Sequence, residues 1–198
     1  MDELCIKHYC HPSNSPFMNI CRLPKEKALP LAQKMAIKNP ENESFARFSN
    51  PHFENHYNRR TKVDEQLYNL FISLGGKPKE THPIYFVLHE SKSLEAWLGQ
   101  WTANRILLKN IPSEFISFTL GDSLVAFKES GKQIMYTKEM LLQVLEAYDG
   151  TIDDFLAELS PKYYCIEAQL WKDELLPMAH PLSKNRAKSS SCSGSLTQ

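Results

Sequence analysis

The run Tyr163-Tyr164-Cys165-Ile166-Glu167-Ala168-Gln169-Leu170-Trp171 constrains this chain more than any other stretch. It sets a carboxylate and an amide two residues apart inside an aromatic and aliphatic segment. On a β-strand, alternate residues share a face, so Glu167 and Gln169 point the same way. A carboxylate on a sheet face among Ile, Leu and Trp costs several kcal/mol of desolvation unless it is paired. The fold must therefore supply Glu167 with partners or give it a chemical role. On an edge strand facing water, the pair would instead be ordinary polar residues.

The chain has 198 residues, 42% hydrophobic and 11% aromatic, enough for one sizeable core and too few for two. A single globular domain over 1–181 is expected. Lys plus Arg and Asp plus Glu each total 23, so the formal charge is zero. No global field then draws the chain toward nucleic acid or an anionic membrane. The opening Met1-Asp2-Glu3-Leu4 lacks the basic start and apolar run of a signal peptide, and no stretch approaches the roughly 18 apolar residues of a membrane span. A soluble, cytoplasmic protein is expected. Five cysteines, at 5, 10, 21, 165 and 192, are odd in number and show no Cys-x-x-Cys spacing. That pattern argues against a disulfide framework and a structural zinc site. Cys5, Cys10 and Cys21 beside His8 and His11 come nearest to a ligand set, but they read as free thiols and no metal is expected.

Cys5 to His11 reads as a first strand, followed by a Pro/Ser/Asn loop and a return through Ile20-Cys21-Arg22. Ala28, Leu31, Ala32, Met35 and Ala36 fall at helical spacing between Pro24 and Pro40. Glu43 to Arg60 is too rich in large rings for a solvated linker. Val63, Leu67, Leu70, Phe71 and Leu74 repeat at helical spacing and stop at Gly75-Gly76. Strands are predicted over Pro83 to His89, Arg105 to Leu108, Phe115 to Leu120, Lys132 to Tyr136 and Tyr163 to Trp171. Helices are predicted over Ser93 to Trp101, Lys138 to Tyr148 and Thr151 to Leu159. The order lacks a regular βαβ alternation, which favours α+β: one domain with a mixed or largely antiparallel sheet and helices packed on it. The Ser- and Lys-rich stretch 182–198 is predicted to be a disordered tail.

Four groups can carry chemistry. His8, in the first strand, either binds a phosphate or ribose hydroxyl or is a packed or surface histidine. Ser117 and Thr119 share a strand face, with Gly121-Asp122-Ser123 following. They can line a sugar or orient a water, while Asp122 and Ser123 can equally serve turn amides. Arg22, Arg47, Arg59 and Arg60 suit phosphate or carboxylate, or are solvated. Glu167 and Gln169, facing a cleft, can anchor a ribose hydroxyl or stabilise an oxocarbenium-like centre. No Gly-x-Ser-x-Gly elbow is present, which speaks against a hydrolase serine.

The chain up to about Trp171 resembles a family of small uncharacterised proteins from Bacillus and related firmicutes. The resemblance rests on Arg22-Leu23-Pro24 with Ala28, Arg47-Phe48 followed by Tyr57 and Arg60, Leu74-Gly75-Gly76-Lys77-Pro78 and His82-Pro83. It continues through Ile116-Ser117-Phe118-Thr119, Gly121-Asp122-Ser123, Thr137-Lys138-Glu139-Met140-Leu141 and Ile166-Glu167-Ala168-Gln169-Leu170-Trp171. It implies a host type and no mechanism. The chain is also similar to ADP-ribosyltransferases in the order of an early His or Arg, a mid-chain hydroxyl element and a late Glu. That similarity implies that His8 or Arg22 binds pyrophosphate or ribose, that Ser117 to Thr119 supports the ribose or the fold, and that Glu167 stabilises the ribosyl cation, with Gln169 beside it. NAD would be the cofactor. The chain departs from the pattern in that the carboxylate precedes its amide, as Glu-Ala-Gln, and Phe118 interrupts the hydroxyls. Two functions follow as expectations. One is an ADP-ribosyltransferase-like enzyme whose site residues converge on one pocket around a small nucleotide. The other is a noncatalytic stress or phage-defence accessory protein that binds a protein partner through an exposed ring cluster at Phe45, Phe53 and Tyr57.

Overall fold

Alternating apolar residues recur in five segments of the chain, and in the computed structural model, which describes residues 4–38, 40, 48–49, 52–99 and 101–182, those segments form one sheet with two short edge additions. Its strands are β1 (Cys5–Cys10), β2 (Ile84–Leu88), β3 (Thr102–Leu107), β4 (Ile116–Leu120), β5 (Tyr136–Thr137), β6 (Ile166–Leu170) and β7 (His180–Leu182). They lie in the order β5-β4-β6-β2-β1-β3-β7, and every pairing of these strands is antiparallel. The helices are α1 (Lys25–Lys38), α2 (His52–Ser73), α3 (Lys92–Leu98), α4 (Ser123–Ser130), α5 (Lys138–Ala147) and α6 (Ile152–Leu159). The chain is a single α+β domain, as its pattern predicts. No helix among the described residues is long and apolar enough to cross a membrane.

Register divides the sheet into two unlike faces, because directly opposed residues share a side. One face carries Ile6, Phe86, Leu88, Ile106, Phe118, Ile166 and Ala168, against which Leu141 and Leu145 of α5 and Phe155 and Leu156 of α6 pack. Thr151 caps α6 with a full capping box through Asp154, satisfying amides that a helix start otherwise leaves unpaired. On the opposite face, Thr119 lies across from Glu167 and Glu167 from Val87, while Ser117 lies across from Gln169 and Gln169 from Tyr85. Helix α2 covers part of this polar row: Val63, Leu67 and Phe71 pack on Trp171, and Phe71 stacks with the indole at 5.8 Å. Gly76 closes the helix where no side chain fits, since a Cβ there would meet the Phe71 ring at 2.6 Å.

Three predicted elements differ in the structure. Helix α2 begins at His52, eleven residues before the periodic apolar run, because Phe53 at 0% exposure anchors an otherwise polar first half. Asp122-Ser123 does not end in a turn; Asp122 caps α4 by accepting from the Leu124 amide at 2.7 Å. The expected strand over Lys132 to Tyr136 contributes only Tyr136 to β5, and β6 lies in the interior of the sheet between β4 and β2. Glu167 is therefore no edge residue. The segment 183–198, predicted as a tail, lies outside the described residues.

Leu67→Ala, at a position with 0% exposure on the face of α2 that packs with Trp171, is expected to lower unfolding free energy by about 2–5 kcal/mol. Ile37→Ala, 78% exposed on α1, should stay within about 0.5 kcal/mol in the same urea titration.

Candidate functional site

Past the Ile6–Leu88 and Lys7–Val87 pairs, β1 and β2 have no further paired residues, although β1 stays paired to β3 through Cys10. His8 fills the seam. It is 8% exposed, its Nδ1 lies 2.8 Å from the Tyr85 carbonyl and its Nε2 accepts from the Phe17 amide at 3.0 Å. An amide can only donate, so Nε2 carries no proton and Nδ1 is the donor. Burial lowers the imidazole pKa and favours that neutral form. Both nitrogens are in use, and Phe17 is held at a positive φ of 61° to present its amide.

Beside this seam, over the polar face, opens a cleft of about 710 Å³. Its walls include Tyr9 of β1, Tyr85 of β2, Arg60 of α2, Trp97 of α3, Asp122 and Glu167. Glu167 is 8% exposed, and Oε1 accepts from Ser123 Oγ at 2.6 Å and Gln169 Nε2 at 3.0 Å. Oε2 takes no hydrogen bond among the described residues. Burial, reinforced by the nearby Asp122, pushes the Glu167 carboxyl up to about 7, against the opposing pull of Arg60, Ser123 and Gln169. It is thus poised to exchange a proton near neutral pH.

Helix α2 delivers the charges around it. Arg60 donates to Ser123 Oγ at 3.0 Å, pairs with Asp122 at 3.4 Å and lies 4.4 Å above the Tyr85 ring. Burial opposes its charge, but Tyr85, Glu167, Asp122 and Asp64 hold the guanidinium protonated. One turn later Asp64, at 0% exposure, accepts from the Tyr85 hydroxyl, from His82 Nδ1 at 2.7 Å and from Asn19 Nδ2 at 3.3 Å. The Tyr164 hydroxyl donates to Asp122 at 3.0 Å. Cys165, also in the cleft wall, has its thiol pushed up by burial and by Glu167 and Asp122, so it is no thiolate at neutral pH.

The residues expected to form the site separate into two groups. Glu167 and His8 line the cleft. Gln169 and Ser117, both at 0% exposure, and Thr119, at 2%, do not; they bond to one another and to Glu167 or Trp171 inside the sheet face. Arg22 is elsewhere, its Nε donating to the His82 carbonyl at 2.8 Å and its Nη1 pairing with Asp173 at 2.6 Å. It clasps the turn before β2 to the chain after β6. Of the ring cluster, Phe53 is buried, Tyr57 donates to the Leu23 carbonyl at 2.8 Å, and Phe45 lies outside the described residues. Sequence reasoning passed over Asp64, Tyr85 and Tyr164. The spacing of Arg60 and Asp64, one helical turn on the longest helix, was the signal available for the first of these.

Comparison of the chain with protein-family models, curated proteins and solved structures finds no match.

The raised Glu167 value has a measurable sign. Its folded value lies above the ordinary 4.5, so the native state binds the proton more tightly, and raising the pH weakens the fold. Glu167→Gln removes that dependence. We expect its stability relative to wild type to rise between about pH 4.5 and pH 7 by on the order of 3 kcal/mol and to level off above, read by thermal denaturation across pH. His8 acts oppositely, weakening the fold as pH falls below about 6.5, but it is common to both proteins and cancels in the difference.

Proposed function

We propose that the chain is an ADP-ribosyltransferase-like, NAD-binding transferase with Glu167 as its reacting carboxylate. The observation that carries this reading is a carboxylate 92% removed from solvent, with one oxygen uncommitted, in the wall of a cleft of about 710 Å³. Clefts of roughly 300–1,000 Å³ hold cofactor-sized ligands, and this one mixes apolar rings with a few convergent polar groups.

In the proposed reaction the bond between the ribose anomeric carbon and the nicotinamide nitrogen breaks, and nicotinamide leaves with the bonding pair. The anomeric centre becomes cationic. The ionised Glu167 stabilises it through Oε2, in a site where burial makes the attraction far stronger than in water. An acceptor nucleophile then bonds to that carbon and gives up its proton, which Glu167 Oε2 can take. Arg60, held protonated in the cleft wall, is the cation on hand for the dinucleotide's phosphates.

The roles drawn from the family order shift accordingly. His8, with both nitrogens engaged, supports the cleft wall instead of holding pyrophosphate, and Arg60 takes the task first given to Arg22. Ser117 and Thr119 serve fold support, one of the two roles the order allowed them. The partner-binding reading loses most of its motive, because Phe53 and Tyr57 are committed to the interior contacts described above.

Titration with NAD is expected to raise the thermal midpoint of the wild type, since binding free energy adds to native-state stability. Nicotinamide release should follow and should fall by about 10²–10³-fold in Glu167→Gln, the usual loss for one preorganised electrostatic group. Release should also increase with pH as Glu167 ionises through about 7. A flat thermal response from a folded protein would overturn the reading.

A further inference from the structure

The direction of a hydrogen bond is fixed wherever one partner can only donate. An indole N–H is such a group, and so is a guanidinium. Trp171 Nε1 donates to Ser117 Oγ at 2.9 Å, so the Ser117 hydroxyl turns its own hydrogen to Gln169 Oε1, also at 2.9 Å. The Gln169 carbonyl is thereby spoken for, and its amide nitrogen faces Glu167 Oε1 at 3.0 Å and Thr119 Oγ1 at 3.1 Å. From the other side Arg60 donates to Ser123 Oγ, whose hydroxyl donates to the same Glu167 Oε1 at 2.6 Å. Two chains, each headed by a group that cannot accept, end on one carboxylate oxygen.

We propose that Trp171 is a positioning residue: acting through Ser117 and Gln169, it keeps Glu167 Oε1 an acceptor and reserves Oε2 for the occupant of the cleft. Trp171 is 0% exposed and lines no part of the cleft, so it reaches the ligand only through this chain. When Glu167 holds a proton, that proton resides on Oε2. The cleft therefore presents a donor to its ligand in the protonated state and an acceptor in the ionised state, from the same atom. The functional weight of this inference rests on the proposed role of Glu167; the polarity itself does not.

The charged and titratable groups facing Glu167 are Arg60 of α2, Tyr85 of β2, Asp122 at the start of α4, and Tyr164 and Cys165 before β6, with Asp64 of α2 bonded to the Tyr85 hydroxyl. Lys7 stands two strands away, paired with Glu90 at 3.3 Å. None of them belongs to the Trp171 arm, so altering that arm reads the hydrogen-bond direction without changing the charges.

The test is a ligand-free carboxyl ¹³C NMR titration of full-length protein labelled at glutamate Cδ, the Glu167 resonance being identified by its loss in Glu167→Gln. In Ser117→Ala and Trp171→Phe the Gln169 amide is released to turn its carbonyl toward Glu167, which favours the protonated carboxyl. We expect the midpoint to rise by about one pH unit in each, a tenfold weaker acid. Ser117→Thr, which keeps the hydroxyl, should restore the wild-type midpoint. Phe71→Leu, which loosens packing on the indole without touching its N–H, should leave it unchanged. If Trp171→Phe does not fold, Ser117→Ala, lacking a single oxygen, decides the matter. An unshifted midpoint in Ser117→Ala, or an equal rise in Phe71→Leu, would overturn the proposal. Failure to bind NAD would overturn the transferase reading and leave this titration as it stands.

Discussion

Burying one carboxylate on an interior strand is the constraint around which this molecule is arranged. A lone ionised group at such a depth would be untenable, so each neighbouring element contributes something to Glu167. Strand β6 supplies Gln169 two residues on, α4 begins with the Ser123 hydroxyl, and α2 brings a guanidinium. The compensation is incomplete. Asp122, which caps α4 and pairs with Arg60, also repels the carboxylate, and the result is a group on the edge of protonation instead of a settled ion pair.

Helix α2 performs two electrostatic tasks with residues one turn apart. Arg60 serves the cleft, and Asp64 serves the scaffold by gathering Tyr85, His82 and Asn19. Tyr85 joins the two, since its hydroxyl bonds Asp64 while its ring carries Arg60. Rotating or shortening the first half of α2 would move both sets together. The half of the helix that looks least helical in sequence is therefore the half that holds the cation in place.

What the sequence revealed depended on how local the cause was. The Glu167 and Gln169 pair stood out because period-two alternation and the price of a buried charge are both written within five residues, and strand β6 forms where that pattern lies. The capped α6 and the apolar periods of α5 and the second half of α2 were equally local. The start of α2 was hidden because His52 to Arg60 carries its reason for folding in a single buried ring, Phe53, whose cluster joins the neighbouring Phe48 and Tyr57 to Ile20, Cys21, Ala28 and Ala32, more than twenty residues away. Ser117 and Thr119 looked like ligand hydroxyls because strand alternation tells which face a side chain takes and not whether that face is open. Trp171 and Gln169, brought beside them by strand pairing, decided that they are covered. Arg22 was a similar case: nothing near it in sequence announces Asp173, its partner across most of the chain.

The two margins of the sheet have a consequence of their own. On one side the last strand is two residues long, and on the other it is three residues with Pro181 in the middle. A strand recruits another chain by offering a row of unpaired amides and carbonyls, and proline offers no amide. Among the described residues, five longer strands thus sit between two blunted borders, each offering a neighbouring molecule only a short row of unpaired groups. In a protein of zero formal net charge, with no collective repulsion between copies, such borders limit edge-to-edge pairing by geometry instead of by charge.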